Sequence, residues 1–332
     1  MAGGGSGQDK AEITFVSNFY DIKRGEWNTR WRRTADTYMD CFRVLARVRV
    51  PLIVYIHDVH YERARSICDE ERNRAQQHDN DNDNDNNNSQ PFPPLTLIPY
   101  NEAFLKEHIR SWSYLETEAA IMETAQYREW TRGRSTCPET HDPKYNCINH
   151  AKIDFIRHAM QHGGFVSDHP HPHPHPHPHR HAKTPQYYGW VDFGYLKPDE
   201  EGRTFPENGR YVPNPEFMDP HKVTLVVNAQ PDPAQCTDPV QTLVSAPELF
   251  TGCFWFGGRC ALMRYWDQYH AAMSVMHAAN VADDDQAVMA LAFGLQHQPQ
   301  TRHNNIQILQ NHMLRARGWF SGFVFTNLHQ QG

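Results

Sequence analysis

The stretch PLIVYIHD, residues 51–58, decides the fold class of this 332-residue chain. After Pro51, every residue from Leu52 to Ile56 is apolar. A short run of this kind is typical of a strand that is covered on both faces, as in a parallel sheet. Apolar residues recur at helix spacing over residues 31–48, and a second helical pattern follows over residues 62–74. The stretch therefore predicts a buried strand between two helices.

The same alternation continues along the chain. Further strands are predicted at Glu12–Phe19, Thr96–Pro99, Tyr187–Tyr195, Lys222–Asn228 and Phe250–Phe256. Further helices are predicted at Ile148–Met160, Leu262–Ala278 and Asp284–Phe293. Alternating strands and helices favour an α/β fold with a mostly parallel central sheet and helices on both faces. We therefore predict one domain over residues 11–328.

Biased segments interrupt this pattern. Residues 1–10 predict a flexible Gly-rich tail, and loops of low complexity are predicted at residues 76–91, which hold Asp-Asn repeats, and at residues 163–185. The second loop contains an alternating His-Pro tract, His169–His181. His-rich runs bind Zn²⁺ or Ni²⁺, which suggests a metal-buffering protein, but alternating prolines extend the chain so that the ligands do not converge. The other interpretation is a repeat-expanded surface loop.

Charge and motif content exclude several classes of protein. The formal net charge is -7, whereas a nucleic-acid-binding protein needs a basic stripe that replaces phosphate counterions. The first ten residues lack an apolar segment and no stretch approaches 18 apolar residues, so we expect neither secretion nor a membrane span. Seven cysteines without a CxxC pair favour reduced thiols and a cytoplasmic location. The dinucleotide and P-loop motifs are missing as well.

Asp192 is the first candidate site residue. It ends a predicted strand in the block YGWVDFG, and Gly194 follows it closely. In open α/β sheets, ligands bind at the carboxyl ends of strands, where a carboxylate meets a divalent cation or a diphosphate. Alternation along the strand places Trp190 and Asp192 on one face and Val191 and Phe193 on the other. Alternatively, Asp192 only caps a turn.

Lys152 and an acidic run supply further charged candidates. Lys152 lies on the apolar stripe of a predicted helix, where a cation is costly unless it reaches water or an anion. If that helix packs beside the strand that ends in Asp192, the anion is a phosphate or Asp192 itself. Three aspartates at 283–285 precede the last amphipathic helix, where acids complement the helix dipole. In a cleft, Asp284 or Asp285 would instead act as a catalytic base or bind a sugar hydroxyl.

The aromatic block TGCFWFGG, residues 251–258, holds candidates for binding a sugar. Gly257 and Gly258 allow the backbone to approach a ligand closely, and Trp255 would stack on a sugar ring. Alternatively, the two glycines mark a plain turn.

The ends of the first two strands hold candidates for binding a nucleotide. The first strand carries Phe15 and Ser17 and runs on into Arg24, whose guanidinium would meet a diphosphate. Asp58, at the end of the second strand, would accept a hydrogen bond from a ribose or a base.

In their order along the chain, six blocks resemble the HtrL/YibB-like family, which is related to the GT-A nucleotide-diphospho-sugar glycosyltransferases. The blocks are ITFVSNFYDIKRGEW, PLIVYIHD, NHAKIDFIRHA, YGWVDFG, TGCFWFGG and DDDQAVMAL. The resemblance covers most of Ile13–Gly294 apart from the biased insertions. It implies a GT-A-like fold, a sugar-nucleotide donor and Mn²⁺ or Mg²⁺ as cofactor.

The resemblance also implies roles for individual residues. Asp192 matches the position of the metal-binding DxD motif, and Lys152 matches the basic residue on the preceding helix. Asp284 and Asp285 match the acidic pair on the acceptor side, where they would be catalytic. The donor-binding set is then Phe15, Ser17, Arg24, Asp58, Lys152, Gly194, Trp255, Gly257 and Gly258.

One departure from the GT-A pattern leaves the chemistry open. The chain has one carboxylate, Asp192, where these enzymes usually have two. A metal would then need diphosphate, water and a distal histidine such as His297 or His312. Transfer without a metal, hydrolysis of the donor, and binding without turnover are the alternatives.

The predicted function is therefore that of a glycosyltransferase. It would move a sugar from a nucleotide-diphosphate donor to a hydroxyl of an unidentified glycan or protein acceptor. The alternative is a non-catalytic nucleotide-sugar-binding or interaction protein on the same fold.

Overall fold

Seven strands form one mixed sheet in the part of the chain that the computed structural model describes. The described residues are 13–48, 50–82, 93–162, 187–194, 196, 219–245, 248–299 and 304–310. The strands are β1 Ile13–Phe19, β2 Leu52–His57, β3 Leu95–Tyr100, β4 Tyr187–Val191, β5 Val223–Val227, β6 Phe250–Gly258 and β7 Ile306–Gln310. The predicted tail at residues 1–10, the loop at 163–185 with its His-Pro tract, and the chain beyond residue 310 lie outside these ranges.

The sheet has the order β3-β2-β1-β4-β6-β5-β7. Strands β1, β2, β3 and β4 run parallel to one another, and β7 runs parallel to β5, while β6 is antiparallel to both of its neighbours. The prediction of an α/β fold with a mostly parallel sheet is confirmed. The chain builds outward from β1 to β3 and then returns to β4 on the other side of β1. The sheet therefore has a switch point between β1 and β4, which is where open α/β sheets bind ligands.

Nine α-helices flank this sheet in the described ranges. They are α1 Ala35–Leu45, α2 Tyr61–Asn82, α3 Glu102–His108, α4 Leu115–Glu123, α5 Ala125–Trp130, α6 Pro143–His162, α7 Pro239–Ser245, α8 Arg259–Ala278 and α9 Asp285–Gln296. Helix α1 begins later than the predicted residue 31 because the hydroxyl of Thr34 accepts the backbone N–H of Thr37 and caps the helix.

Two hydrophobic cores lie on the two faces of the sheet. On one face, α6, α8 and α9 pack on apolar side chains that include Val16, Tyr188 and Trp190. On the other, α1 and α2 cover a core that includes Val191 and Phe193. The alternation predicted for β4 is thus confirmed, and helices lie on both faces, as predicted.

The reversed strand β6 was not foreseen in the sequence patterns. It follows β5 through α7 and starts beside the end of β5, with Phe250 opposite Val227. Because β6 then runs back, its first residues lie at the edge of the sheet where β1 and β4 end. Its last residues, Gly257 and Gly258, pair with the start of β4 at the opposite edge.

Helix α2 continues to Asn82, beyond residue 76, where a loop of low complexity was predicted to begin. Once the first turns of a helix are fixed by packing, each further residue adds one backbone hydrogen bond, so polar residues extend the helix. Strand β7 is a second difference, because its pattern IQILQ did not stand out in the sequence.

We predict that Gly258→Ala destabilises the fold by about 1–3 kcal/mol, because a Cβ at this position would lie 2.7 Å from the carbonyl carbon of Pro220. Urea unfolding measures the loss. Gly133→Ala is the matched control, since nothing lies within 4 Å of a Cβ there, and its free energy of unfolding should stay within about 0.5 kcal/mol. Equal effects of the two substitutions would contradict the assigned contact.

Candidate functional site

A cleft of about 790 Å³ opens at the switch point of the sheet. Its floor is formed by residues at the carboxyl ends of β1 and β4 and by the first residues of β6. Its walls come from α6, from the start of α9 and from the chain between β1 and α1. Predicted site residues that line the cleft are Arg24, Lys152, Asp192, Gly194, Asp284 and Asp285.

An ion triad with a buried ammonium at its centre lies at the base of this cleft. The Lys152 ammonium lies 2.8 Å from Asp285 Oδ2 and 3.2 Å from Asp192 Oδ1, and it donates to the carbonyl oxygen of Gly252 at 3.0 Å. An ammonium has three N–H groups, so three oxygens take up all of its donors. The predicted approach of Lys152 to Asp192 is confirmed, and Asp285 is the additional partner.

Four elements converge to build the triad. Lys152 extends from the middle of α6, Asp192 follows β4, Gly252 belongs to β6, and Asp285 is the first residue of α9. A side chain at position 252 is excluded, because a Cβ there would lie 2.8 Å from the carboxyl carbon of Asp285. Gly252 therefore permits the close approach of Asp285 to the strand.

The triad is strongly ionic. Burial alone would lower the pKa of Lys152, but the charges of Asp192 and Asp285 outweigh burial and raise that pKa above its ordinary value. The side chains of Lys152 and Asp285 are 8% and 6% exposed, whereas Asp192 is 36% exposed. The indole N–H of Trp190 donates to the same Asp192 oxygen at 2.6 Å. The carboxylate of Asp192 is thus fixed in orientation while part of it faces the cleft.

The two predicted catalytic acids differ in their surroundings. Asp284 caps α9 by accepting the backbone N–H of Gln286 at 3.0 Å, and it is partly exposed to the cleft. Burial, followed by the charges of Asp285, Asp283 and Glu139, raises the pKa of Asp284 well above its ordinary value. Asp285, in contrast, is buried against the ammonium of Lys152. Of the two carboxyl groups, Asp284 is therefore the one that combines a raised pKa with exposure to the cleft.

Asp283 is buried and binds Arg134. Its carboxylate accepts two hydrogen bonds of 3.3 Å from Arg134, which also binds Glu139 at 3.0 Å. Burial raises the pKa of Asp283 to about 6, although the charge of Arg134 acts in the opposite direction.

Arg24 lies in an aromatic part of the cleft wall. Its guanidinium donates to the hydroxyl of Tyr38 at 2.7 Å and to the carbonyl of Trp31 at 2.9 Å. It also lies over the rings of Trp27 and Tyr145, 5.2 and 5.5 Å from their centroids. These contacts hold one cation in the wall of the cleft.

The described residues do not fit the Mn²⁺ or Mg²⁺ that the GT-A resemblance implies. Across these ranges, no group of three or more His, Cys, Asp or Glu side chains is arranged to hold a metal. The available carboxylates, Asp192 and Asp285, already bind the ammonium of Lys152. His297, which follows the end of α9, is hydrogen-bonded to the carbonyl of Phe293, and His312 lies outside the described ranges.

Several predicted donor-binding residues do not line the cleft. Phe15 and Ser17 lie within β1 and are buried. The ring of Phe15 packs on that of Phe254, with 5.4 Å between the ring centroids. The residues of this segment that reach the cleft come later, from Asn18 to Ile22. Asp58 lies on the exterior, where it accepts a hydrogen bond from Asn101 at 3.4 Å.

The reversal of β6 removes three more candidates. Trp255 is 3% exposed and packs on Tyr265 in the core. Gly257 and Gly258 lie at the opposite edge of the sheet, where their missing side chains make room for the chain at Pro220–Lys222 rather than for a ligand.

Other cleft residues escaped the sequence reasoning. Asn149 lies one turn before Lys152 on the same helix face, so the spacing i, i+3 was the signal that pointed to it. Asn18, one residue before the end of β1, lines the cleft, whereas the strand pattern pointed to Phe15 and Ser17 earlier in the strand. Tyr145 and Arg33 line the cleft from a helix start and a loop, where no periodic pattern marked them.

The amino-terminal part of the chain is similar to a known protein family. Residues 11–77 match the family model HtrL_YibB. Its description is "Bacterial protein of unknown function", so the match carries no activity. The matched stretch is similar to that family over β1, α1, β2 and most of α2, and thus includes the part of the cleft around Arg24. No curated protein matches the chain.

The sequence predicts that the chain has no membrane-spanning helix. In the described ranges, no helix is both long and apolar enough to cross a bilayer.

We predict that Lys152→Met lowers the free energy of unfolding by about 3–5 kcal/mol, because it leaves two carboxylates without their cation. Urea unfolding measures the loss. Adding Asp285→Asn to Lys152→Met should restore part of it, since one of the unpaired charges is then removed. Lys144→Met, an exposed position on the same helix, is the control and should change stability by less than about 0.5 kcal/mol. A double variant as unstable as the sum of its single variants would contradict the triad.

Proposed function

We propose that this protein is a glycosyltransferase that uses a nucleotide-diphosphate sugar. The observation that carries the proposal is the cleft at the switch point between β1 and β4, with the triad of Lys152, Asp192 and Asp285 at its base. A site of this kind, at the carboxyl ends of parallel strands, is where α/β sheets hold nucleotides. The resemblance of the sequence blocks to GT-A enzymes supports the same assignment.

The diphosphate of the donor would bind along the wall that carries Arg24 and Arg33. Both residues line the cleft, and a guanidinium matches the geometry of phosphate oxygens. Arg24 is already oriented by Tyr38 and Trp31, so little side-chain entropy is lost on binding. As the glycosidic bond to the diphosphate breaks, these cations stabilise the charge that develops on the leaving group.

The sugar would lie towards the triad. Asp192, which is partly exposed, would accept hydrogen bonds from sugar hydroxyls, and the aromatic residues of the cleft would contact the apolar face of the ring. Asp284 would take the proton of the acceptor hydroxyl if transfer inverts the anomeric centre. A carboxylate with a raised pKa is a stronger base than an ordinary one, which suits this role.

A second candidate is a nucleotide-sugar-binding or interaction protein without turnover. The single carboxylate at Asp192 and the poor fit to a divalent cation favour it. Both candidates share the binding step and differ only in whether a bond is broken, so one set of measurements addresses both.

The first test is binding. The purified chain is screened by thermal shift against UDP-, GDP-, CMP- and dTDP-sugars. A ligand present at 100 times its Kd stabilises the folded state by about 2.7 kcal/mol. For the nucleotide class that binds, Arg24→Met should weaken affinity by about tenfold or more, because a charged hydrogen bond is lost. Arg30→Met is the control, since Arg30 is exposed and does not line the cleft.

Turnover separates the candidates. Release of the nucleotide from the bound donor (UDP, GDP or dTDP, or CMP from a CMP-sugar), measured with and without glycan acceptors, supports the transferase. Binding without release supports the binding protein. Absence of binding by every sugar nucleotide would refute the shared assignment and leave only an interaction protein on this fold.

We predict that titration of Asp284 produces a limb in the pH dependence of kcat/KM. Because its pKa is raised, the side chain keeps its proton at pH values where an ordinary aspartate has lost it. The base is therefore generated as pH rises, and kcat/KM should increase with pH through that pKa. Asp284→Asn should lower kcat by about 10²–10⁴ and remove the limb. The asparagine still caps α9, so the free energy of unfolding should change little. An unchanged pH profile would assign the base elsewhere.

A further inference from the structure

We propose that Lys152 is the resident cation of the cleft and replaces a divalent metal ion there, so that the nucleotide binds without metal. The inference rests on the proposed function for the nature of the ligand. The assignment of Lys152 rests on geometry alone.

The coordination of the ammonium resembles that of a bound metal ion. Lys152 has two carboxylate oxygens and one carbonyl oxygen around it, from Asp192, Asp285 and Gly252, within 2.8–3.2 Å. These are the oxygen ligands that Mg²⁺ and Mn²⁺ prefer. The acceptors thus form a cation site, and that site is filled by the protein itself.

A metal ion and Lys152 exclude one another at this place. A divalent ion bound to Asp192 Oδ1 would share that oxygen with an ammonium that lies 3.2 Å from it. The two positive charges would then lie a few ångströms apart in a largely buried site, where their repulsion is poorly screened. A divalent ion bound to Asp285 Oδ2 would meet the same repulsion, because this oxygen lies still closer to the ammonium of Lys152, at 2.8 Å.

The rest of the cleft can accept a diphosphate without a metal. Of the other acidic side chains that line the cleft, Glu139 binds Arg134, Asp21 lies 3.1 Å from His60, Asp284 accepts the backbone N–H of Gln286, and Glu248 is exposed to solvent. The cations Arg24 and Arg33 remain on the wall that lines the cleft. Lys152 acts as a positioning residue, since it binds the buried Asp285 and fixes the orientation of Asp192, which is partly exposed to the cleft.

Binding of Mn²⁺ alone tests the assignment of Lys152. The full chain is titrated with Mn²⁺, and the electron paramagnetic resonance signal of the free ion is recorded. The variants are Asp192→Asn, Lys152→Ala and Lys152→Ala with Asp192→Asn. Because the His-Pro tract is common to all of them, its contribution cancels in each comparison.

We expect the wild type and Asp192→Asn to bind Mn²⁺ alike. Lys152→Ala should gain one ion with affinity at least about tenfold higher, because the carboxylates are freed, and Asp192→Asn should abolish this gain. Wild-type binding that Asp192→Asn abolishes would overturn the inference. So would a folded Lys152→Ala protein that gains no ion. If Lys152→Ala does not fold, the comparison of Mn²⁺ binding by the wild type and by Asp192→Asn still tests whether Asp192 binds a metal ion in the native protein.

Nucleotide binding separates this inference from the proposed function. Calorimetric titration with UDP, GDP, CMP and dTDP is performed in EDTA and in Mn²⁺. Equal affinity in both buffers supports the resident cation. Affinity that appears only with Mn²⁺ overturns it and leaves the transferase standing. If no nucleotide binds in either buffer, the proposed function fails, and the Mn²⁺ titration alone decides the role of Lys152.

Discussion

The ammonium of Lys152 is the interaction on which the cleft depends. The ammonium is buried, binds two carboxylates and a carbonyl oxygen, and joins α6, β6, α9 and the end of β4 at one point. An unpaired charge at this depth would be strongly unfavourable, so the four elements must meet with their oxygens in place. The contacts that hold these four elements together are therefore the same contacts that form the base of the cleft. The shape of the cleft follows from the need to pair a buried charge.

The reversed strand β6 is the second constraint. Because it starts beside the end of β5 and runs back, Gly252 lies next to the end of β4, and Gly252 leaves room for Asp285. A parallel β6 would have placed the same residues at the other edge. The triad is thus a product of sheet topology as much as of side-chain chemistry, and Asp284, one residue before Asp285, enters the cleft for the same reason.

Local patterns predicted part of this site. Asp192 and Lys152 were predicted as site residues because the alternation along a strand and the apolar stripe of a helix each extend over only a few residues of sequence. The same periodicities predicted the α/β class. Trp255, Gly257 and Gly258 were misplaced because the direction of β6 depends on the connection through α7, which has no local signature. The role of Asp285 as a buried partner of Lys152 depends on residues more than a hundred positions apart, so no window of sequence contains it. The match to HtrL_YibB covers residues 11–77 and leaves those distant partners outside.

The spacing of the triad along the chain has a consequence for biosynthesis. Lys152 and Gly252 are separated by 100 positions, and Lys152 and Asp285 by 133. Contacts between residues so far apart in sequence form only after both segments have been synthesised, and such non-local contacts slow folding. A chain emerging from the ribosome has no complete cleft until α9 has been made and has docked. A product truncated before Asp285 therefore lacks one carboxylate of the triad, and a ligand that requires the complete site recognises only chains whose synthesis has passed this residue.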